Sequence, residues 1–237
     1  EVTNARAADV PVVSIAAIIQ HNTSAFISLR PKGIARPRDL ERRNYGSFGL
    51  PIERQVLQGL MACDGGDVSR VAFVDIGSSD PLMAIQRDLD VVWIYEGWEG
   101  IEAQRRGMDV QLIRFSDWFD CLPDYYTPVL IASEETLQKR PDMVRRFLAA
   151  TSRGYRYAIE HPQEAAEILI KAAPENDPEL VRLSQAWLSP RYQAEAERWG
   201  EQKQDIWQAY ADWLSLHALL DKRIDVSQAF SNDYLPE

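Results

Sequence analysis

The densest set of residues suited to recognition chemistry runs Trp93-Ile94-Tyr95-Glu96-Gly97-Trp98-Glu99-Gly100-Ile101-Glu102. On a strand, Trp93 and Tyr95 share one face, and a helix starting after Gly97 places Trp98 and Glu102 four apart on one side. Aromatic planes and a carboxylate then meet at the carboxyl end of a parallel strand, where open α/β sheets hold ligands among helix N-termini. Such a plate suits a flat nitrogen heterocycle carrying an amine, through stacking worth about 0.5–1.5 kcal/mol and a charge-assisted hydrogen bond. The competing reading makes Trp93 and Tyr95 core residues and Glu102 part of a solvated helix face.

Two more strand-to-helix turns point to the same crevice. Gly46-Ser47-Phe48-Gly49-Leu50-Pro51-Ile52-Glu53 offers backbone amides and an acid at a helix start, although an acid there is also ordinary compensation of the helix dipole. Gly77-Ser78-Ser79-Asp80 is similar, and capping alone accounts for it equally well. Tyr125 and Tyr126 stand where the chain leaves its α/β part, and they either line a cleft or pack a hinge. Catalytic templates are missing: no nucleophile elbow, Walker loop, dinucleotide fingerprint or paired helical histidines. His21, His161 and His217 are scattered and only Cys63 and Cys121 join them, so neither a metal site nor a cofactor is expected.

The elements that must position these residues alternate as far as about residue 120. Strands are expected at Pro11–Ile19, Asn44–Phe48, Val71–Ile76, Asp90–Tyr95 and Val110–Phe115. Between them fall helices at Pro51–Cys63, at Leu82–Leu89 with Ser79 or Asp80 as cap and Pro81 at its first turn, and from Gly97 to Arg106 with Gly107 closing it. That alternation predicts a parallel sheet covered by helices. After a last short strand at Thr127–Ala132 the pattern is helical. Val144, Phe147, Leu148, Thr151, Tyr155 and Ala158 form one apolar stripe ended by His161-Pro162, Asp177-Pro178 opens another helix, and Ile206, Tyr210, Trp213 and His217 mark a third.

Composition bounds the function. The 237 residues give a prior of one to two domains at ~150 each, and 46% apolar residues supply a sizeable core. A net charge of -10 repels a phosphate backbone, so nucleic acid is not an expected partner. Val10–Ile19, the longest apolar stretch, is too short to span a bilayer. Cys63 and Cys121 form one disulfide or none, since spacing alone does not place them within bridging distance. The first residues, Glu1-Val2-Thr3-Asn4-Ala5-Arg6, read as the inside of a helix rather than a basic, apolar leader.

Val12–Asn22 (VVSIAAIIQHN), Tyr45–Glu53 (YGSFGLPIE), Trp93–Glu102 (WIYEGWEGIE), Tyr125–Val129 (YYTPV) and Phe230–Pro236 (FSNDYLP) together resemble the thiamine-pyrimidine-precursor binding proteins of bacterial ABC importers. That group also contains fungal-type pyrimidine synthases and alkanesulfonate-binding proteins. The resemblance implies an α/β, two-lobed periplasmic-binding-protein (type II) fold, with crossings near Ala16–Gln20 and Thr127–Ala132. It implies a complete lobe over residues 20–127, with 1–19 and 128–237 making the rest of lobe one plus C-terminal helices. By the family pattern lobe one is incomplete at its N-terminus, so an unfinished sheet edge is expected there.

Carried over by motif, Tyr95, Trp98 and Glu102 become cleft contacts, with the Gly46, Ser47, Glu53 turn and Tyr125 or Tyr126 as walls. The implied function is capture of an aminopyrimidine between the lobes, outside the cytoplasm. The implied partners are permease subunits, and any membrane attachment runs through the permease or an anchor not visible in the chain. A riboflavin-binding relative is the alternative for the solute, and a sulfonate fits an acidic cleft poorly. A pyrimidine synthase-like enzyme is the alternative for the activity, but it needs an iron-binding Cys and His cluster and a substrate lysine. Here the cysteines are far apart in sequence and three lysines precede residue 200. A partnered fragment that no longer holds solute tightly is the third reading.

Overall fold

The computed structural model describes residues 1–237 and shows two compact units, one of Glu1–Asn22 with Pro123–Glu237, the other of Thr23–Leu122. The short helix Val2–Ala7 (α1) opens the first unit. It leads into Val12–Ala17 (β1), whose small and β-branched residues are buried from Val13 onward. β1 pairs antiparallel with Val129–Ser133 (β7), Ala17 opposite Val129 and Val12 opposite Ser133. On its other side Ser14 bridges Phe230. The segments at Ala16–Ala17 and Val129–Ala132 are therefore partners inside this unit, and the chain passes between units after Asn22 and after Leu122.

Helices cover the strands of the first unit. Glu134–Lys139 (α5) buries Leu137, and Pro141–Glu160 (α6) turns Val144, Leu148 and Ser152 inward, against a cluster that includes Val13, Ile15, Tyr192 and Trp199. Phe147, expected on the buried stripe, is 54% exposed, because the inward face follows the i, i+4 line through Val144 and not its neighbour. His161 ends α6 and Pro162 starts Pro162–Ala172 (α7). Asp177 caps Pro178–Leu188 (α8), accepting from the amides of Glu179 and Leu180. Gln204–Leu216 (α9) buries Trp207, Tyr210, Ala211, Trp213 and Leu214. No helix is long and apolar enough to cross a membrane.

The second unit is built on five strands: Ser24–Leu29 (β2), Asn44–Ser47 (β3), Ala72–Asp75 (β4), Val91–Tyr95 (β5) and Val110–Arg114 (β6), in the order β4-β3-β5-β2-β6. The sheet is mixed, which corrects the expectation of a parallel one. β3 runs parallel to β4 and β5, whereas β2, not foreseen as a strand, runs antiparallel to both β5 and β6. Alternation gives the sheet two unlike faces. Ala25, Ile27, Val92 and Ile94 meet Leu82, Ile85 and Ala103 on an aliphatic side. On the opposite side the Phe26 ring meets the edges of Tyr45, Trp93 and Phe115 at 5.8, 5.9 and 4.9 Å.

Pro51–Cys63 (α2) follows β3 with its proline at the first turn, and Asp80 caps Pro81–Gln86 (α3) through the amides of Leu82 and Met83. A disulfide joins Cys63, the last residue of α2, to Cys121, with Cα atoms 5.7 Å apart.

Candidate functional site

β4, β3 and β5 are neighbours running the same way, so the turns after Asp75, Ser47 and Tyr95 leave one edge of the second unit's sheet. The structure thus brings the three sequence-predicted turns together. What each side chain does there differs from its sequence reading.

Glu53 faces inward. Its side chain is 2% exposed and accepts four hydrogen bonds, from Tyr45 Oη (3.0 Å), Ser47 Oγ (2.9 Å) and the amides of Phe48 (3.2 Å) and Leu50 (3.0 Å). The Leu50 bond is the return half of a capping box. Ser47 Oγ in turn accepts from the Gly49 amide at 3.0 Å, and Gly49 has φ +80°. Glu53 is therefore the internal frame of the Gly46–Leu50 turn and corrects the expectation of an acid offered to ligand. Burial, then the Glu53 carboxylate, pushes the Tyr45 phenol well above its ordinary value, so Tyr45 stays a donor. Gly46 is also a packing residue. A Cβ there would stand 2.5 Å from Leu89 Cδ1 and 2.7 Å from Val92 Cγ1, so it lets β3 approach the aliphatic face.

At the end of β5, Trp93 is buried against Phe26 and Phe115, which makes it core, while Tyr95 is 46% exposed at the edge. The chain then takes a π turn over Glu96–Gly100 before Ile101–Arg105 (α4). The expected α-helix from Gly97 is thus replaced at its start by a wider winding, a device often found at functional sites. Trp98 is half-buried within that turn. Glu102 is 7% exposed and held by its own helix, accepting from Arg105 Nε and Nη2 at 2.7 and 3.0 Å and from Arg106 Nε at 2.5 Å. Arg105 and then Arg106 hold its carboxyl below the ordinary range, against the opposing effect of burial. Both Glu102 oxygens already carry guanidinium partners.

Sequence reasoning passed over Glu99. It lies half-buried in the π turn and accepts from the Tyr95 amide at 3.0 Å, and burial raises its carboxyl above the ordinary value. Its signal was its place in the tandem aromatic-Glu-Gly units Tyr95-Glu96-Gly97 and Trp98-Glu99-Gly100 of the motif. Glu96, nearby, is ion-paired with Arg114 at 2.6 Å.

Tyr125 and Tyr126 belong to the first unit. Tyr125 stacks on Tyr210 with centroids 4.4 Å apart and 24° between planes. Tyr126 is 8% exposed, and its hydroxyl accepts from the Lys203 amide at 3.0 Å. Burial pushes its phenol up to about 12.

Residues 1–165 match the family model described as NMT1/THI5 like. A formylaminopyrimidine-binding protein of Halalkalibacterium halodurans is 26% identical over 98% of this chain and 71% of its own length. A 4-amino-5-hydroxymethyl-2-methylpyrimidine phosphate synthase of Legionella pneumophila is 24% identical over 98% and 72% respectively. Among solved structures, the periplasmic aliphatic sulphonate binding protein of Escherichia coli superposes with a TM-score of 0.70 at 13% identity, over 99% of this chain and 74% of that one. The architecture is that of the periplasmic binding proteins, and by the extent of the family match the chain belongs to the NMT1/THI5-like family.

Proposed function

We propose that this chain is the solute-binding component of an ABC importer and that its solute is a flat, amine-bearing nitrogen heterocycle of the aminopyrimidine class. The observation that carries the reading is the end of β5, where Tyr95 leads into the π turn that holds Trp98 and the half-buried Glu99, on the sheet edge that also carries the Glu53-framed turn. Tyr95 and Trp98 supply planes for stacking. Glu99 supplies a carboxylate for the amine, strengthened by its partly desolvated setting. Ser47 and the Gly46–Leu50 turn are the remaining contacts of the proposal. Glu53 acts in it as a positioning residue, whereas Glu102 is engaged by Arg105 and Arg106 and braces α4. The relative named for formylaminopyrimidine supports the solute class. The Cys63–Cys121 disulfide supports an extracytoplasmic location, where such bonds persist.

The test is a tryptophan-fluorescence titration with an aminopyrimidine, riboflavin and an alkanesulfonate in parallel. Saturable quenching by the aminopyrimidine, lost in Trp98→Ala with thermal unfolding unchanged, is the expected result. A response to riboflavin or the sulfonate alone overturns the solute class, and no response from folded protein overturns the binding role. The synthase-named relative makes catalysis the second reading. Pyrimidine product formed on incubation with iron, or a covalent adduct on a lysine, would favour it over transport.

A further inference from the structure

His21 stands one residue before Asn22, where the outgoing segment of the first unit ends, and Asp124 one residue after Pro123, where the returning one begins. The ring is held on both nitrogens, Nδ1 by Asp124 Oδ2 at 2.6 Å and Nε2 by Glu195 Oε2 at 3.0 Å, across 103 and 174 residues of sequence. The second oxygen of Asp124 accepts from the amides of Asn22 (3.0 Å), the last residue of the outgoing segment, and of Tyr125 (2.9 Å), two residues beyond the start of the returning one. One carboxylate, largely buried at 16% side-chain exposure, therefore gathers both crossing points, and one imidazole ties it to the loop that follows α8.

We propose that His21 is a positioning residue for solute binding: as an imidazolium it clamps Asp124 to Glu195, orders the backbone at Asn22 and Tyr125, and makes solute affinity fall at alkaline pH. The affinity clause rests on the solute-binding reading above. The clamp itself does not.

Two carboxylates with no donor between them repel, so the bridge needs the ring charged, with both nitrogens donating. Other charged groups near the clamp are few. Lys203 Nζ stands 3.6 Å from the second oxygen of Glu195, and Tyr126 beside it accepts from the Lys203 amide. Asp205, then Asp124 and Glu195, add negative charge around Tyr126. The hydrogen bond to Asp124 is the largest influence on the ring, with burial opposing it and Glu195 adding to it, and the balance raises its pKa from 6.5 to about 9. A raised histidine stabilises in full below 6.5, and its contribution disappears as pH rises through about 9. The His21 side chain is 49% exposed, so solvent screens the clamp.

The experiment combines an NMR titration of the histidine rings with aminopyrimidine binding measured across pH 6–10.5 for wild type and His21→Gln. Expected is a His21 midpoint near 9 that drops toward 6.5 in Asp124→Asn and by less in Glu195→Gln. Wild type should bind roughly two- to fivefold tighter than His21→Gln at neutral pH, the range an exposed, screened ion pair supplies. The two curves should converge above pH 10. A midpoint near 6.5 overturns the clamp. A normal midpoint drop with parallel binding curves overturns the positioning role. If no solute binds wild type at pH 7, the solute reading and the affinity clause fall together, and the midpoint still decides the clamp.

Discussion

Glu53→Gln is the perturbation that tests whether a carboxylate frames the Gly46–Leu50 turn. Four donors converge on two oxygens. Tyr45 Oη and the Phe48 amide meet Oε1, while Ser47 Oγ and the Leu50 amide meet Oε2. An amide replaces one oxygen with an NH₂, and either orientation sets that group against one hydroxyl and one backbone N–H. A hydroxyl can rotate to accept, but the Phe48 or Leu50 N–H cannot. One buried backbone donor is then left without an acceptor, costing about 1–3 kcal/mol, and a second bond is weakened by roughly 1 kcal/mol. The sum, about 2–4 kcal/mol, should lower the melting temperature by roughly 5–15 °C for a chain of 237 residues. Scanning calorimetry measures it. The turn should also loosen, so Kd for the aminopyrimidine should rise even at temperatures where the variant is folded. A melting temperature within about 1 °C of wild type would refute the reasoning, because it would mean that water satisfies these donors in a carboxyl site 2% exposed.

Two other perturbations separate structural from solute-binding roles. Cys63 and Cys121 are 58 residues apart, and chain-entropy arithmetic for that loop gives about 4 kcal/mol. Cys121→Ser, or reduction of the wild type, should therefore cost several degrees of melting temperature in calorimetry, and an unchanged melt under reductant would contradict it. Glu102→Gln removes one oxygen from the paired guanidinium contacts. It should cost roughly 1–2 kcal/mol at neutral pH, since hydrogen bonds to charged groups exceed neutral ones and Arg106 is partly screened. Because Arg105 and Arg106 depress the Glu102 pKa, the difference from wild type should be full above the unfolded carboxylate range and vanish as pH falls through the lower folded value. Isothermal titration should show aminopyrimidine affinity little changed. A selective affinity loss with unaltered stability would return Glu102 to the contact set.

The elements legible in the sequence are those whose causes are local. Pro51 at a first turn and Asp64-Gly65-Gly66 beyond Cys63 bound α2, as the structure has it. Asp80-Pro81 and Asp177-Pro178 announce their helices because a capping carboxylate and a proline act within three residues. β2 left no such mark: Ser24-Ala25-Phe26-Ile27-Ser28-Leu29 has serines in an apolar run, and its place between β5 and β6 comes from pairings 65 to 89 residues away. Charge follows the same division. Arg105 and Arg106 stand three and four residues beyond Glu102, a spacing that by itself pairs side chains on a helix, so the internal use of Glu102 was readable. The donors of Glu53 were only half readable, since the Leu50 bond follows from the capping-box spacing while Tyr45 and Ser47 need the strand to end beside the helix start. Asp124 and Glu195 became partners of His21 through folding alone. A carboxylate in a promising motif is therefore informative about ligand only after its near neighbours have been subtracted. By that criterion Glu99, whose acceptor contact is a backbone amide and whose burial raises its pKa, is the acid in the Trp93–Glu102 motif most suited to a ligand amine.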